Sequence, residues 1–397
     1  MKIIHVITSL SPDGAQTMLY KLLSSLDQRI YQSQVVSLTD KGIMGGRIEA
    51  IGVPVLALGM RPGMPSPFSV LQLARWLRQC SPDVIQTWLY HADLIGGIAA
   101  KLAGGIPVAW NIRRDIPVAW NIRHGMFDSR GHKRSTVLAI KACAMLSRWL
   151  PMRIICCSES SRLVHSAIGY EDDEMVVIPN GFDLANFRPD PAARLAIRQE
   201  LGIPEQALLI GLIARFHPLK DHRNFIDAAA RLHAHSPEVH FLLCGSGVTA
   251  QNSELAEWIR SRNLGRRVHL LGQRPDVQRL NAALDIASSS SYSEGFPNVI
   301  GEAMACGVPC AVTDVGESAR IVGATGKVVP PRSPEALAEA WRELIEIGPE
   351  GRSLLGEAAR RRISEYFSLQ AIVQRYARLY QDIEASSWQE SRAAIPE

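Results

Sequence analysis

SSSYSEGFPNVIGEAMACGVPCAVTDVG, residues 289–316, is the stretch that decides the fold. Small polar residues end a strand, a turn of Glu, Gly, Phe and Pro follows, and a helix is predicted from Asn298 to Cys306. A Gly-Val-Pro turn then leads into the next strand. A strand, a helix and a second strand joined by short turns form the unit from which parallel sheets are built. The stretch therefore predicts an open α/β sheet with functional loops at the carboxyl ends of its strands.

Short apolar segments alternate with helix-period segments along almost the whole chain. Those that indicate buried parallel strands are KIIHVIT, SQVVSL, VPVLAL, DVIQTW, IPVAWNI, RIICCS and MVVIPN in the first half and ALLIGLIA, VHFLLCG, RVHLLG, LDIASSS, PCAVTD and GKVVP in the second. A chain of 397 residues is long enough for two domains with a cleft between them. We expect an N-terminal domain over 1–180, a proline-containing linker over 181–204, a second domain over 205–375, and a C-terminal helix and tail over 376–397, the helix returning to the first domain.

Composition excludes several classes of protein. With 47% hydrophobic and 21% charged residues, the chain has the composition of a soluble globular protein rather than a disordered one. No apolar run reaches the roughly 18 residues that span a bilayer, and the opening MKIIHVITSL reads as a strand rather than a signal peptide. Seven cysteines without a C-x-x-C pair favour buried thiols in a reducing cytoplasm over a disulfide framework or a zinc ribbon.

Positive charge is concentrated in the first half. The first 180 residues hold 19 Lys and Arg against 13 Asp and Glu (+6), and the rest hold 24 against 26 (−2), which favours an anionic partner for the first half. Residues 132–150 place Lys133, Arg134, Lys141 and Arg148 among apolar residues and predict a basic amphipathic helix. Two interpretations stay open: the helix lies against an anionic membrane surface, or it packs on the sheet with its cations in water.

Charged residues at strand ends form a candidate site in the second half. Glu294 precedes the helix of the opening stretch, and Glu302 lies in its second turn, with seven residues between them. A carboxylate beside the free N–H groups of a helix start can hold a sugar hydroxyl and a phosphate, although an isolated Glu pair can equally be solvated. Arg215 ends a strand and Lys220 follows five residues later, so that both cations can neutralise one diphosphate without a metal.

With these motifs the chain resembles glycosyltransferase family 4, retaining enzymes with two Rossmann-like domains in the GT-B architecture. The resemblance covers nearly the whole chain and is densest over 211–316. It implies that Glu294 contacts the donor sugar, that Glu302 binds the nucleotide ribose, and that Arg215 and Lys220 hold the leaving diphosphate. The remaining donor-binding residues that it implies in this half are Gly245, Phe296, Pro297, Asn298 and Asp314.

The resemblance also implies two groups in the first domain. Residues 11–16 are similar to a glycine loop that approaches the donor diphosphate, with Gly14 kept and Asp13 in place of the other glycine. His91 follows the strand DVIQTW and matches a histidine near the sugar. His91 and Glu294 are expected to position the sugar, while the leaving phosphate accepts the proton of the acceptor hydroxyl.

The expected function is that of a retaining, metal-independent hexosyltransferase of surface polysaccharide biosynthesis. Its donor would be a nucleotide sugar, UDP-linked, which serves as co-substrate with no further cofactor, and its acceptor a saccharide or a lipid-linked sugar. We expect a cytoplasmic protein that binds no nucleic acid, with peripheral binding at the inner face of the membrane as one of the two open interpretations of the basic helix. The alternatives are a nucleotide-sugar-binding protein without turnover and a GT-B sugar epimerase.

The first domain contains a tandem repeat, since Ile106–Arg113 and Ile116–Arg123 have the same eight residues. Relatives have one such strand followed by Arg-His. We expect the second copy to form the strand, because this keeps Arg123 and His124 at its carboxyl end, where the acceptor should dock. In one alternative the first copy forms the strand and the second bulges into the cleft. In the other, the copies form a hairpin, whose tight turn would require left-handed angles that neither central residue favours.

Overall fold

A computed structural model describes residues 1–61, 67–113 and 134–393, with side chains described up to residue 386. The chain divides into two compact units. Unit 1 consists of Met1–Gly181 and Leu369–Glu397, and unit 2 of Phe182–Ser368. All thirteen segments predicted as strands form strands, and both sheets are parallel, which confirms the predicted fold class.

Unit 1 has a seven-stranded sheet in the order β3-β2-β1-β4-β5-β6-β7. Its strands are β1 Lys2–Ile7, β2 Gln32–Ser37, β3 Val55–Ala57, β4 Val84–Trp88, β5 Val108–Ile112, β6 Arg153–Cys156 and β7 Met175–Val177. Its described helices are α1 Gly14–Ser25, α2 Gly42–Ala50, α3 Pro67–Cys80, α4 Tyr90–Leu102, α5 Arg134–Leu146, α6 Glu159–Ala167 and α15 Leu369–Ala393. The strand order reverses direction between β1 and β4, so the switch point of unit 1 lies between these two strands.

Side chains of unit 1 alternate between two cores. Ile3 and Ile7 of β1 pack in one cluster, whereas Ile4 and Val6 pack in the other, as expected for a sheet buried on both faces. Tyr376 and other residues of α15 complete the first cluster. The C-terminal helix therefore returns to the first unit, as predicted.

Unit 2 has a six-stranded sheet in the order β10-β9-β8-β11-β12-β13. Its strands are β8 Leu209–Ile213, β9 His240–Cys244, β10 Val268–Leu270, β11 Ile286–Ser289, β12 Cys310–Thr313 and β13 Gly326–Val329. Its helices are α7 Pro191–Leu201, α8 His222–His233, α9 Ser253–Ser261, α10 Val277–Ala283, α11 Asn298–Ala305, α12 Ser318–Val322, α13 Pro334–Glu346 and α14 Gly348–Phe367. The switch point lies between β8 and β11.

The structure draws the unit boundaries differently from the sequence-based expectation. Residues 182–204, expected to be a linker, contain α7 and belong to unit 2, where Phe182 and Ile197 are fully buried. The prolines of this segment had indicated a linker. Pro191 instead occupies the start of α7, where a helix needs no N–H group. The return to unit 1 begins at Leu369 rather than at residue 376.

The prediction that the second copy of the repeat forms the strand is wrong. β5 belongs to the first copy and pairs in parallel with β4 on one side and β6 on the other. Only a short turn separates α4 from the first copy. Of the two copies, the first is therefore the one that the chain brings to β4 directly after α4. Because both edges of β5 are occupied, a hairpin between the copies is also wrong. The second copy, with Arg123 and His124, lies outside the described residues.

Candidate active site

Four loops of unit 2 begin at the same edge of its sheet. Arg215 follows β8, Gly245 follows β9, Glu294 follows β11 and Asp314 follows β12. These strands are parallel neighbours, so their carboxyl ends share one edge. The fold thus brings the loops of the sequence-predicted donor residues to the side of the sheet where open α/β proteins bind ligands.

An ion pair bridges the switch point of unit 2. Lys220 Nζ donates to Glu294 Oε1, and the same carboxylate oxygen accepts a 2.6 Å hydrogen bond from Ser291 Oγ. The two charged side chains are 23% and 11% exposed, so the pair is partly shielded yet reachable. Ser290 Oγ donates to the Lys220 carbonyl at 2.9 Å and ties the two loops together. Sequence reasoning missed both serines, although the run of four serines that ends β11 was a visible signal.

A tight turn precedes α8 and presents Lys220. The 3₁₀ turn Pro218–Lys220 is followed by Asp221, whose φ of 45° lies in the left-handed region. The Asp221 carboxylate caps α8 by accepting from the Asn224 N–H at 3.2 Å. Lys220 therefore stands just before the helix, as its sequence position indicated. Arg215 is exposed at the end of the preceding strand.

The helix after Glu294 begins at the predicted residue. α11 runs from Asn298, with Pro297 at its cap position, and Glu302 lies in its second turn. Phe296 stacks on Phe182 with the ring centroids 6.1 Å apart. Its ring thus belongs to the packing of unit 2, and its contribution to the site is to hold the turn in place.

Glycines allow the loops to approach each other closely. A Cβ on Gly245, whose φ is 154°, would overlap the carbonyl oxygen of Ala214, so glycine is required where the β8 and β9 loops meet. Gly316, with φ 55°, packs in the same way against the carbonyl oxygen of Glu294. Asp314, on the loop that Gly316 belongs to, is exposed. The close approach of the two loop backbones is therefore sufficient to explain why residue 245 is a glycine, without any contact to a ligand.

Two sequence-predicted residues of unit 1 flank the other switch point. Gly14 is the exposed first residue of α1, after β1, and His91 lies in the first turn of α4, after β4. Leu89 between β4 and α4 has a φ of 76°, a backbone conformation that is uncommon for any residue other than glycine. Burial lowers the pKa of His91, so its ring is neutral at pH 7.

Sequence reasoning missed two polar residues of unit 1. Asp93, only 1% exposed, accepts a 2.6 Å hydrogen bond from Thr87 Oγ1, and burial raises its pKa to about 7. Arg113, at the end of β5, donates to Asn180 Oδ1 at 2.6 Å. Arg113 is the counterpart in the first copy of Arg123 in the second, and the choice of the wrong copy concealed it.

Among the residues that the structure describes, no three His, Cys, Asp or Glu side chains are arranged to hold a metal ion. None of the described helices combines the length and apolarity needed to cross a bilayer.

Known proteins resemble the chain over most of its length. EpsF of Bacillus subtilis, named as a glycosyltransferase, is 26% identical over 79% of each chain. The UDP-Gal:alpha-D-GlcNAc-diphosphoundecaprenol alpha-1,3-galactosyltransferase of Escherichia coli is 26% identical over 62% of each chain. The crystal structure of Anabaena Alr3699/HepE in complex with UDP matches 96% of this chain and 100% of that one, with a TM-score of 0.83 and 25% identity.

Two family descriptions match in succession. Residues 12–186 match Glycosyltransferase Family 4, and residues 207–346 match Glycosyl transferases group 1. Apart from residues 182–186, the first match lies in unit 1, and the second lies in unit 2, and each unit has its own parallel sheet and switch point. The chain therefore belongs to the glycosyltransferases of family 4 and group 1, enzymes of the GT-B fold.

Proposed function

We propose that this glycosyltransferase moves a sugar, with retention of anomeric configuration, from a UDP-linked donor to a saccharide or lipid-linked acceptor of surface polysaccharide biosynthesis. The observation that carries the proposal is the Lys220–Glu294 pair across the switch point of unit 2. Two relatives support the donor, because HepE was crystallised with UDP and the E. coli enzyme is named for UDP-Gal. The acceptor in the latter name, a diphosphoundecaprenol-linked sugar, supports a lipid-linked acceptor.

In this proposal, unit 2 holds the donor. Arg215 and Lys220 neutralise the diphosphate, Glu294 accepts from a sugar hydroxyl, and Glu302 accepts from the ribose. Lys220 keeps two ammonium hydrogens beyond the one it gives to Glu294, so it can bind a phosphate oxygen without breaking the pair. Gly245, Pro297, Asn298 and Asp314 would contribute loop backbone and polar contacts.

The proposed reaction replaces one bond at the anomeric carbon by another on the same face. The bond from that carbon to the diphosphate oxygen breaks, the acceptor oxygen bonds from the same side, and the acceptor proton passes to the leaving phosphate. Negative charge grows on the diphosphate as it leaves, and the two cations stabilise it, so the step needs no metal. A neutral His91 ring would orient a sugar hydroxyl rather than carry a proton.

The test measures nucleoside diphosphate release and product stereochemistry. Incubation with UDP-, GDP- and ADP-sugars should release a nucleoside diphosphate only from the UDP-sugars, with equal rates in EDTA and in added Mg²⁺. The NMR coupling constant of the product's anomeric proton should match that of the donor. A protein that is stabilised by UDP-sugars but releases no UDP would instead be a binding protein, and formation of an epimerised sugar would indicate an epimerase.

We also propose that unit 1 contacts an anionic membrane surface through α5. Arg134, Leu138, Lys141 and Met145 recur at helical spacing and are all exposed, and exposed Trp149 extends this face. The opposite side of the helix packs in the core of unit 1. Apolar side chains among cations are the combination that binds anionic lipid surfaces.

Sedimentation of the full chain with vesicles tests this contact. Binding to vesicles rich in anionic lipid should exceed binding to neutral vesicles and should fall as salt rises. Leu138→Ser together with Met145→Ser should abolish it. Leu354→Ser, at an equally exposed leucine of unit 2, is the matched control and should leave binding unchanged. Equal binding by all variants would contradict the assignment to α5.

A further inference from the structure

Arg113 is a partly buried cation whose hydrogen-bond partners among the described residues are all neutral. Its Nε donates to Asn111 Oδ1 at 2.8 Å, Nη1 donates to Asn180 Oδ1 at 2.6 Å, and Nη2 donates to the Tyr376 hydroxyl. The guanidinium also faces the rings of Trp88 and Tyr376, each centroid 5.8 Å away. Asn111 Nδ2 donates to the same tyrosine hydroxyl at 3.2 Å and fixes it. The cation is thus held in one orientation from several sides.

The charge of Arg113 is not neutralised by any carboxylate among the described residues. Burial lowers the pKa of its guanidinium to about 10, which shows that the surroundings disfavour the charge. Two other partly buried arginines of unit 1 do have carboxylate partners, since Arg153 pairs with Glu174 and Arg162 pairs with Asp172. Buried cations are normally paired, because an unpaired charge is costly to remove from water.

Arg113 also has unused donor capacity. A guanidinium carries five N–H groups, and the three hydrogen bonds above use three of them. One N–H of Nη1 and one of Nη2 remain without a partner among the described residues, and guanidinium N–H groups suit the oxygens of a phosphate. A cation held in one orientation, with free hydrogens and no carboxylate partner in the described parts of the chain, is arranged for an anion that comes from outside the chain.

The position of Arg113 agrees with a ligand role. It directly follows β5, and β5 pairs with β4, which is followed by His91. β1, followed by the loop that contains Gly14, is the next strand on the other side of β4. Arg113 thus lies at the edge of the unit 1 sheet where ligands of open α/β sheets bind.

We propose that Arg113 binds a phosphate group of the acceptor. The inference rests on the proposed function in one respect: unit 2 holds the donor there, and we take unit 1 to bind the acceptor. It gives the acceptor a chemical class, a sugar that carries a phosphate monoester or a diphosphate. If Arg113 instead only ties β5 to α15, its removal lowers stability and leaves phosphate binding unchanged.

Calorimetric titration with inorganic phosphate and pyrophosphate tests the proposal in the full chain. All proteins carry Lys220→Ala, which weakens the donor diphosphate site so that unit 1 dominates the signal. Adding Arg113→Met should weaken phosphate binding about tenfold, which corresponds to about 1.4 kcal/mol. Arg153→Met, at a partly buried arginine that already has a carboxylate partner, should leave it unchanged. Equal affinity in the Arg113→Met and Lys220→Ala proteins would overturn the proposal.

A second measurement covers the case in which Arg113→Met does not fold. Phenylglyoxal modification of the Lys220→Ala protein, mapped by mass spectrometry, should slow severalfold at Arg113 when phosphate is added. Modification of Arg153 should not change. An unchanged rate at Arg113 would contradict the proposal. Failure of the proposed function is distinguishable from failure of this inference. In that case the protein would neither bind UDP nor release UDP from UDP-sugars, whatever the result for phosphate binding at Arg113.

Discussion

Unit 2 has ion pairs at both ends of the same two strands. Before β8 and β11 begin, Asp285 accepts from Arg194 and from Arg198 at 2.7 Å each. Arg198 is 1% exposed and Asp285 13%. Beyond the other end of the strands, Lys220 pairs with Glu294, and both remain partly exposed. In the first pair, Arg198 with Asp285, the cation is enclosed by protein, whereas the second pair stands at the ligand-binding edge.

The difference lies in how fully each pair is satisfied by the protein. Asp285 Oδ2 also accepts from the Leu209 N–H at 2.8 Å. The two Nη groups of Arg198 donate to four carbonyl groups, that of Ala207 at 2.6 Å among them, and its Nε alone has no partner among the described residues. The Lys220 ammonium still has hydrogens to give. We call the first pair saturated, because its carboxylate and both Nη groups of Arg198 are bonded to protein, and such a pair supports stability. The Lys220 pair, which we call unsaturated, can exchange protein contacts for ligand contacts. Substitutions at the two ends should therefore separate stability from activity.

The largest effect is expected at the saturated pair. Asp285→Asn leaves Arg198 as a buried cation without a carboxylate, which should lower the free energy of unfolding by about 3–5 kcal/mol. Urea unfolding monitored by circular dichroism measures the loss. Glu339→Gln, which removes an exposed carboxylate paired with Arg342, is the control and should cost less than about 1 kcal/mol. Similar losses of unfolding free energy in both variants would contradict the claim that the pair of Asp285 supports stability more than an exposed pair does.

Asp93 extends the comparison to a buried carboxylate with no cation partner among the described residues. Its folded pKa of about 7 lies above its unfolded value of 3.8, so the folded state binds more protons between these limits. Stability should therefore fall as pH rises from about 4 to 7, by about 1.4 kcal/mol per pH unit, and then level. Asp93→Asn removes this titration and should gain up to about 4 kcal/mol over the wild type by pH 7.

The difference in unfolding free energy between the wild type and Asp93→Asn, measured in urea at several pH values, checks this expectation. The buried histidines titrate in both proteins, so their contribution cancels in the difference. A difference that stays constant from pH 4 to pH 8 would show that Asp93 does not carry the shifted pKa.

At the unsaturated pair the effect should appear in activity. Lys220→Ala should reduce the rate of UDP release from UDP-sugars about a hundredfold or more, because a preorganised cation at the leaving group is lost. The free energy of unfolding should change by less than about 1 kcal/mol, as for other partly exposed pairs. Arg223→Ala, at an exposed cation of α8, should retain the activity. A stability loss as large as that of Asp285→Asn would contradict the distinction between the two pairs.

The smallest effect concerns the glycine that lets two of the site's loops meet. Gly245→Ala should destabilise unit 2 by about 2 kcal/mol, because its φ is suited to glycine and its Cβ would overlap Ala214. Thermal unfolding provides the measurement. Gly265→Ala is the matched control, since a Cβ there meets nothing within 4 Å. Equal melting temperatures for the two variants would show that the loops can separate without cost.

The fold could be predicted from the sequence because its signals are local. Thirteen apolar segments between helix-period segments specify thirteen strands, and each strand needs only its own residues to be recognised. The loop with Glu294 and the helix start at Asn298 were found for the same reason, since polar residues follow a strand and precede a helix within ten positions.

The errors and omissions arose where distant residues decide. The two copies of the repeat have identical local preferences, so only their neighbours in space select the first copy for β5. Asp285 and its partner Arg198 are 87 positions apart, and Arg113 and Tyr376 are 263 positions apart. No spacing rule connects such residues, and their burial becomes apparent only when the sheets are assembled.

Hydrogen–deuterium exchange with and without saturating UDP tests most directly the claim that the loops at the switch point of unit 2 bind the nucleotide. UDP should slow exchange in the segments 214–220, 245–247 and 291–302 of the wild type, and this protection should be reduced in the Lys220→Ala protein. Binding of UDP without protection in these segments, or with equal protection in both proteins, would contradict the account.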